Sequence, residues 1–198
     1  MGRLAVSERR ELLLDAALAV IARLGVTGAT TRAIVAEAGV SLASFHYAFE
    51  SRDQLIAELV SRVIQGEEAV LSAVQPEGVS MRDTIRQGLI QYFDVVKADP
   101  LREKAMFELT QYAMRSPELE PLARAQYDRY YALAESALDV AARSTGLSWA
   151  RPTAELATFL VVLTDGLTLN WLVNRDDAAA LAIIDFAADS LGALAVAA

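Results

Sequence analysis

His46 is the chain's one histidine, and it stands beside Tyr47 and between Phe45 and Phe49 in GVSLASFHYAFESRD, residues 39–53. An imidazole among aromatic rings can serve as a general base or a metal ligand, but either role needs partners. The chain has no cysteine and no second histidine, so neither a usual zinc site nor a Cys-His pair can be assembled. No nucleophile stands with a base, and no glycine-rich phosphate loop occurs. No metal, no cofactor and no enzymatic activity are therefore expected. An α-helical enzyme working through His46 or an Asp/Glu pair stays an alternative without an acid–base set behind it, and a helical protein-interaction module is another. A third possibility is that the aromatic stretch is a surface built to touch something else.

The elements that must carry this stretch are helices. Nearly every segment shows an apolar period near 3.6 residues, and none alternates long enough for a strand. The fold class expected is all-α. Ser7 caps a first helix that Gly25 should stop, with Leu13, Ala17, Val20, Ile21 and Leu24 on one stripe. A short second helix, TRAIVAEA, ends at Gly39, and Ser41 caps a third, LASFHYAF. Two helices of about two turns joined through Gly-Val-Ser read as a helix-turn-helix, in which Ile34, Val35, Ala38, Val40 and Phe45 face inward. Ser51 to Gln54 has the form of a capping box opening a longer fourth helix, expected to reach about Val74. QPEGVS at residues 75–80 reads as a linker. Helices then follow at about 80–98, 101–115, 117–145, 152–174 and 177–196.

Charge divides the chain in the same place. The formal net charge is −8, yet Met1 to Arg62 holds seven basic and seven acidic residues, so the whole excess of acid lies beyond Arg62. A neutral first third is compatible with a nucleic-acid surface where the sum alone is not. Arg3, Arg9 and Arg10 are either an arm reaching DNA or a solvated helix start. No basic leader precedes an apolar core at the N-terminus. The longest apolar run, Leu156–Leu163, falls well short of the roughly 20 residues a bilayer requires, so no membrane span and a cytoplasmic location are expected.

The order TTRAIVAEAGVSLASFHYAFESRDQLI, set between a helix ending at Gly25 and a long linking helix, resembles the DNA-binding domain of the tetracycline-repressor (TetR) family of transcriptional regulators. Gly39, Val40, Ser41, Phe49, Ser51 and Leu55 stand where that family's pattern has the same residue types. His46 stands where tyrosine is most common, and Arg52 where lysine is usual. The resemblance implies a three-helix helix-turn-helix domain at residues 7–67, followed by a larger helical ligand-binding and dimerisation domain at 75–198. It implies that Thr30, Thr31 and Arg32 lie near the phosphate backbone of double-stranded operator DNA. Ser41, Leu42, Ala43, Ser44, His46 and Tyr47 would present the third helix to the major groove, and Arg52 would meet a phosphate. Phe45 and Phe49, four apart, belong to the core. The implied activity is repression by a homodimer on a palindromic site, relieved by a small-molecule effector.

For the second part, the residues supply the detail. Residues 152–173 are apolar on nearly all sides, which calls for burial on two fronts, one of them a partner chain. Together with the last helix, whose small residues allow close approach, residues about 152–196 form the expected dimer interface. Candidate effector contacts are Phe93, Met106, Phe107, Tyr127, Tyr131 and Trp171, with Met114 beside them. Gln111, Tyr112, Asp165 and Asn170 would supply polar groups. Asp165 follows an apolar run and needs a partner. Acid beside aromatic rings favours a cationic or neutral apolar ligand over a phosphorylated one.

Overall fold

The structure, a computed structural model, describes residues 6–71 and 80–197, so Arg3 and residues 75–79 of the expected linker lie outside the described residues. Its helices are α1 (Val6–Gly28), α2 (Thr31–Ala38), α3 (Leu42–Ala48), α4 (Arg52–Leu71), α5 (Met81–Ala98), α6 (Pro100–Ala113), α7 (Glu120–Thr145), α8 (Thr153–Asn174) and α9 (Asp177–Gly192). Two compact units result. The first takes the chain up to Gln65 together with Leu101–Ala125, and the second takes the rest, so the boundaries fall inside α4 and α7 and after the first residue of α6.

In the first unit, α1 does not stop at Gly25. The backbone breaks there, at φ 74° and ψ 168°, and one more turn runs to Gly28. The positive φ selects glycine, and an added Cβ, 2.8 Å from Oε2 of Glu108 on α6, would displace that carboxylate. That carboxylate accepts from the Val26 N–H at 2.8 Å, capping the turn that restarts after the break. The break turns Val26 into the core, while Leu24, expected on the buried stripe, is left 61% exposed. Glu108→Ala strands the Val26 N–H and is expected to cost about 1–3 kcal/mol in a urea titration, with Glu108→Gln recovering most of it.

The second unit is built around α5 and α9. Arg82 Nε donates to Asp189 at 2.5 Å and Arg86 Nε to Asp185 at 2.6 Å. Gly192 lets the end of α9 close on α5, since an added Cβ would lie 3.2 Å from the Arg82 Cα. The core includes Leu89, Phe93, Leu138, Leu167, Trp171 and Ile184. The all-α expectation needs one amendment. The last helix ends at Gly192 rather than about 196, and β2 (Ala195–Ala197) pairs antiparallel with β1 (Leu147–Trp149), Ser148 opposite Val196. Trp149 anchors this ribbon by donating from Nε1 to Leu138 O at 3.1 Å.

Candidate nucleic-acid interface

Local sequence builds the α2–α3 pair. The Thr30 hydroxyl accepts from Ala33 N at 3.2 Å and the Ser41 hydroxyl from Ser44 N at 3.2 Å, one cap per helix. Between them Gly39 adopts the left-handed conformation, φ 64° and ψ 29°. Val40 N donates to Val35 O at 3.0 Å and Gly39 N to Ala36 O at 3.3 Å, the two bonds of a Schellman stop. Val35 and Val40 both pack against the core of the first unit. α4 opens on the expected box with a one-residue offset: Gln54 N donates to Ser51 Oγ, while the Gln54 side chain accepts from Glu50 N rather than Ser51 N.

The two faces of α3 are sharply different. Phe45, Ala48 and Phe49 are buried, the phenyl rings 5.8 Å apart. Ser41, Leu42, Ala43, His46 and Tyr47 are exposed on the other side, Tyr47 at 61%. Ser44 is half-buried, with its hydroxyl 3.0 Å from that of Ser41. His46 sets its ring edge against Phe45 at 5.5 Å and faces out, so the lone histidine is a surface group.

Cations are distributed unevenly around this face. Arg10 holds α3 and α4 by donating to Ala48 O and Glu58, Arg23 pairs with Glu37, and Arg62 pairs with Glu11 and Asp15. Arg32, in the first turn of α2, is exposed and makes no hydrogen bond or ion pair among the described residues. Arg9, undecided from sequence, lies 5.3 Å from the Tyr47 ring centre and adds positive charge beside α3. Arg52 differs from expectation in its surroundings. Its Nε donates to Ala29 O at 2.7 Å and its Nη2 to Val26 O, while its guanidinium lies over Tyr112. It closes the α1–α2 connection onto α4 and is only partly exposed.

The expected effector residues divide between the units. Met106 is core in the first unit, Phe107 is half-buried, Gln111 is exposed, and Tyr112 donates to Asp53 at 3.3 Å. In the second unit Phe93 and Trp171 form a buried edge-to-face pair at 5.6 Å, with the Trp171 Nε1–H on Asp177. Asn170 is exposed beside Leu169 and Val173. Three residues do come together: Tyr127 donates to Asp165 Oδ2 at 2.7 Å, and its ring lies 6.2 Å from that of Tyr131. Tyr130, 5.5 Å from Tyr127 on the same helix, was missed although its spacing in YDRYY places it there.

Burial pushes the Asp165 carboxyl above the ordinary carboxylate range, and the Tyr127 hydrogen bond opposes this. Tyr127 is pushed up as well, by burial first and by Asp165 second. A carboxylate raised by folding contributes stability below its unfolded pKa and loses it as pH rises through the folded value, so the charged form of Asp165 weighs against the fold.

The geometry defines a helix-turn-helix with an exposed second helix attached to a larger helical unit. Residues 13–59 match the bacterial regulatory proteins of the tetR family, and residues 81–195, more than half of the chain, match the C-terminal domain of BetI-type transcriptional repressors. The chain belongs to the TetR family and is a DNA-binding transcriptional regulator; the family is one of regulators rather than enzymes. A similar curated protein is the HTH-type nicotine-responsive transcriptional repressor HdnoR of Paenarthrobacter nicotinovorans, 29% identical over 175 residues, covering 88% of this chain and 89% of that one. Among solved structures, a transcriptional regulator from Rhodococcus sp. Rha1 superposes with a TM-score of 0.79 at 20% identity, over 96% of this chain and 98% of the other. The multidrug binding protein EbrR complexed with imidazole gives 0.65 at 25% identity, over 90% and 94%.

Proposed function

We propose that the chain is a cytoplasmic repressor that binds a palindromic operator as a homodimer through α2 and α3 and is released by a small molecule. Residues 7–67 carry the DNA contacts in this reading, and residues 75–198 the effector and the partner chain. The observation that carries it is the α3 face: Leu42, Ala43, His46 and Tyr47 exposed over a buried Phe45–Phe49 pair, with Arg32 on α2 unpaired among the described residues. Leu42 and Ala43 suit a thymine methyl, and Ser41, Ser44, His46 and Tyr47 suit phosphate or base edges. Thr30, Thr31 and Arg32 supply backbone contacts. Arg52 has a positioning part here, since Nε and Nη2 donate to Ala29 O and Val26 O and Nη1 lies 3.6 Å from the Asp53 carboxylate.

The partner chain is supported by α8 and α9. Phe159, Val162, Leu169 and Val173 are exposed at alternating three- and four-residue spacings on α8, with Gly166 between them, and Leu181 and Phe186 are exposed on α9. By length and composition α8 is apolar enough to cross a membrane, and a third of its most apolar window is buried. Its other side packs in the second unit's core, and Tyr92 and Tyr127 bond its Thr168 and Asp165. A second copy covers the open stripe in this reading. HdnoR, by its name responsive to nicotine, and the imidazole complex of EbrR support an organic effector.

Anisotropy titration against the DNA upstream of the protein's own coding region tests this. Expected is sequence-selective binding that weakens steeply with salt, with a footprint of two half-sites about 34 Å apart. Absence of selective, salt-sensitive binding at such sites would overturn the reading.

A further inference from the structure

Two consecutive arginines near the start of α1 each lie on a ring at the end of α3. The Arg10 guanidinium is 4.5 Å from the centre of the buried Phe49 ring, and it donates from Nε to Glu58 Oε1 at 3.1 Å and from Nη1 to Ala48 O at 2.6 Å. Those bonds fix the first turns of α1 against α3 and α4. Arg9, one residue earlier, is thereby set over the exposed ring of Tyr47, 5.3 Å from its centre. Tyr47 makes no hydrogen bond and no ring–ring contact among the described residues, so this guanidinium is the directional contact that its ring has.

As a device for stability the pair is weak. A cation on an exposed ring shifts an equilibrium only about two- to fivefold, and much of that goes into ordering a long arginine side chain. Its effect falls on binding instead. An exposed side chain that docks on DNA gives up its rotamer freedom at that moment, and a ring already held by a cation has given it up beforehand. Positive charge beside the phenol also favours an approaching phosphate. We infer that Arg9 is a positioning residue of the DNA-reading surface, holding Tyr47 ready for the operator and extending that surface from α3 onto α1; this rests on the proposed operator binding by α3.

The test is an anisotropy titration of one operator fragment with the full chain, comparing the parent with Arg9→Gln, Arg9→Lys, Tyr47→Leu and the Arg9→Gln, Tyr47→Leu double variant. Arg9→Gln is expected to weaken binding about two- to fivefold per head, roughly five- to thirtyfold for a two-headed complex. Arg9→Lys keeps a cation for the ring and should recover most of the loss. Without the Tyr47 ring there is nothing left to position, so in that background Arg9→Gln should cost about threefold or less. Equal losses with and without the ring would overturn the inference; if the slope of log affinity against log salt also falls by about two, Arg9 is an independent phosphate contact in each head. A loss explained by a lowered urea midpoint, with the folded protein's affinity unchanged, would make its role structural and overturn the inference too. Selective binding by the parent that Arg9→Gln leaves untouched overturns the inference alone, whereas no selective binding by the parent overturns the operator reading and the inference with it.

Discussion

Phe45→Ala is expected to destabilise the protein by about 3–5 kcal/mol, as large-to-small changes at sealed aromatic sites do. Phe45 has no exposed surface, touches Phe49, and is the largest side chain that α3 places in the core shared with Leu13, Ile21 and Ile34 of α1 and α2. Whole domains are stable by only about 5–15 kcal/mol, so the helix-turn-helix should be the first part to open. Urea unfolding followed by circular dichroism measures the loss. Phe45→Leu should cost much less, because it keeps most of the volume. A change below about 1 kcal/mol for the alanine variant would show that Phe45 is a contact residue rather than the support of the exposed face.

Phe186→Glu is expected to convert the proposed dimer to monomers. Phe186 is 70% exposed on α9, so a glutamate there leaves the fold of its own chain intact. Aromatic anchors at the centre of interfaces are worth about 2 kcal/mol or more. A two-fold axis makes each count twice, and each new carboxylate would lose its hydration in the interface. Two losses of that size raise the dimer dissociation constant roughly a thousandfold. Sedimentation equilibrium reads it directly, with operator affinity falling in parallel. A variant as dimeric as the parent would place the partner elsewhere than on the α8–α9 stripe.

The parts of this molecule legible in sequence are those decided by neighbours in the chain. Thr30, Gly39, Ser41 and Ser51 each act within four residues, and each cap or stop is found where its residue type implies. Gly25 was readable as a break but not as a kink, because the group that lets α1 resume is Glu108, 82 residues beyond the Val26 N–H that it accepts. Arg52 carried the signature of a cation at a helix start, yet its acceptors come from the α1–α2 connection. The β1–β2 ribbon has three residues a strand, too few for alternation to register. Effector residues were the least legible. An aromatic side chain looks alike in sequence whether it fills a core, as Phe93 does, or stands half-covered beside a carboxylate, as Tyr127 does. Asp165 stood out because a charge after an apolar run needs a partner, and its one partner among the described residues is the Tyr127 phenol.

The central claim is that the exposed face of α3 reads operator DNA. Anisotropy titration of one operator fragment with the parent protein, Tyr47→Ala and His46→Ala tests it most directly. Both side chains are exposed, so neither change disturbs the fold. Removing a side chain that bonds to DNA costs about 1–3 kcal/mol, and Tyr47→Ala should therefore bind about five- to over a hundredfold more weakly with unchanged circular dichroism and unchanged sedimentation mass. Wild-type affinity in both variants would contradict the account and move the DNA-reading surface off this helix.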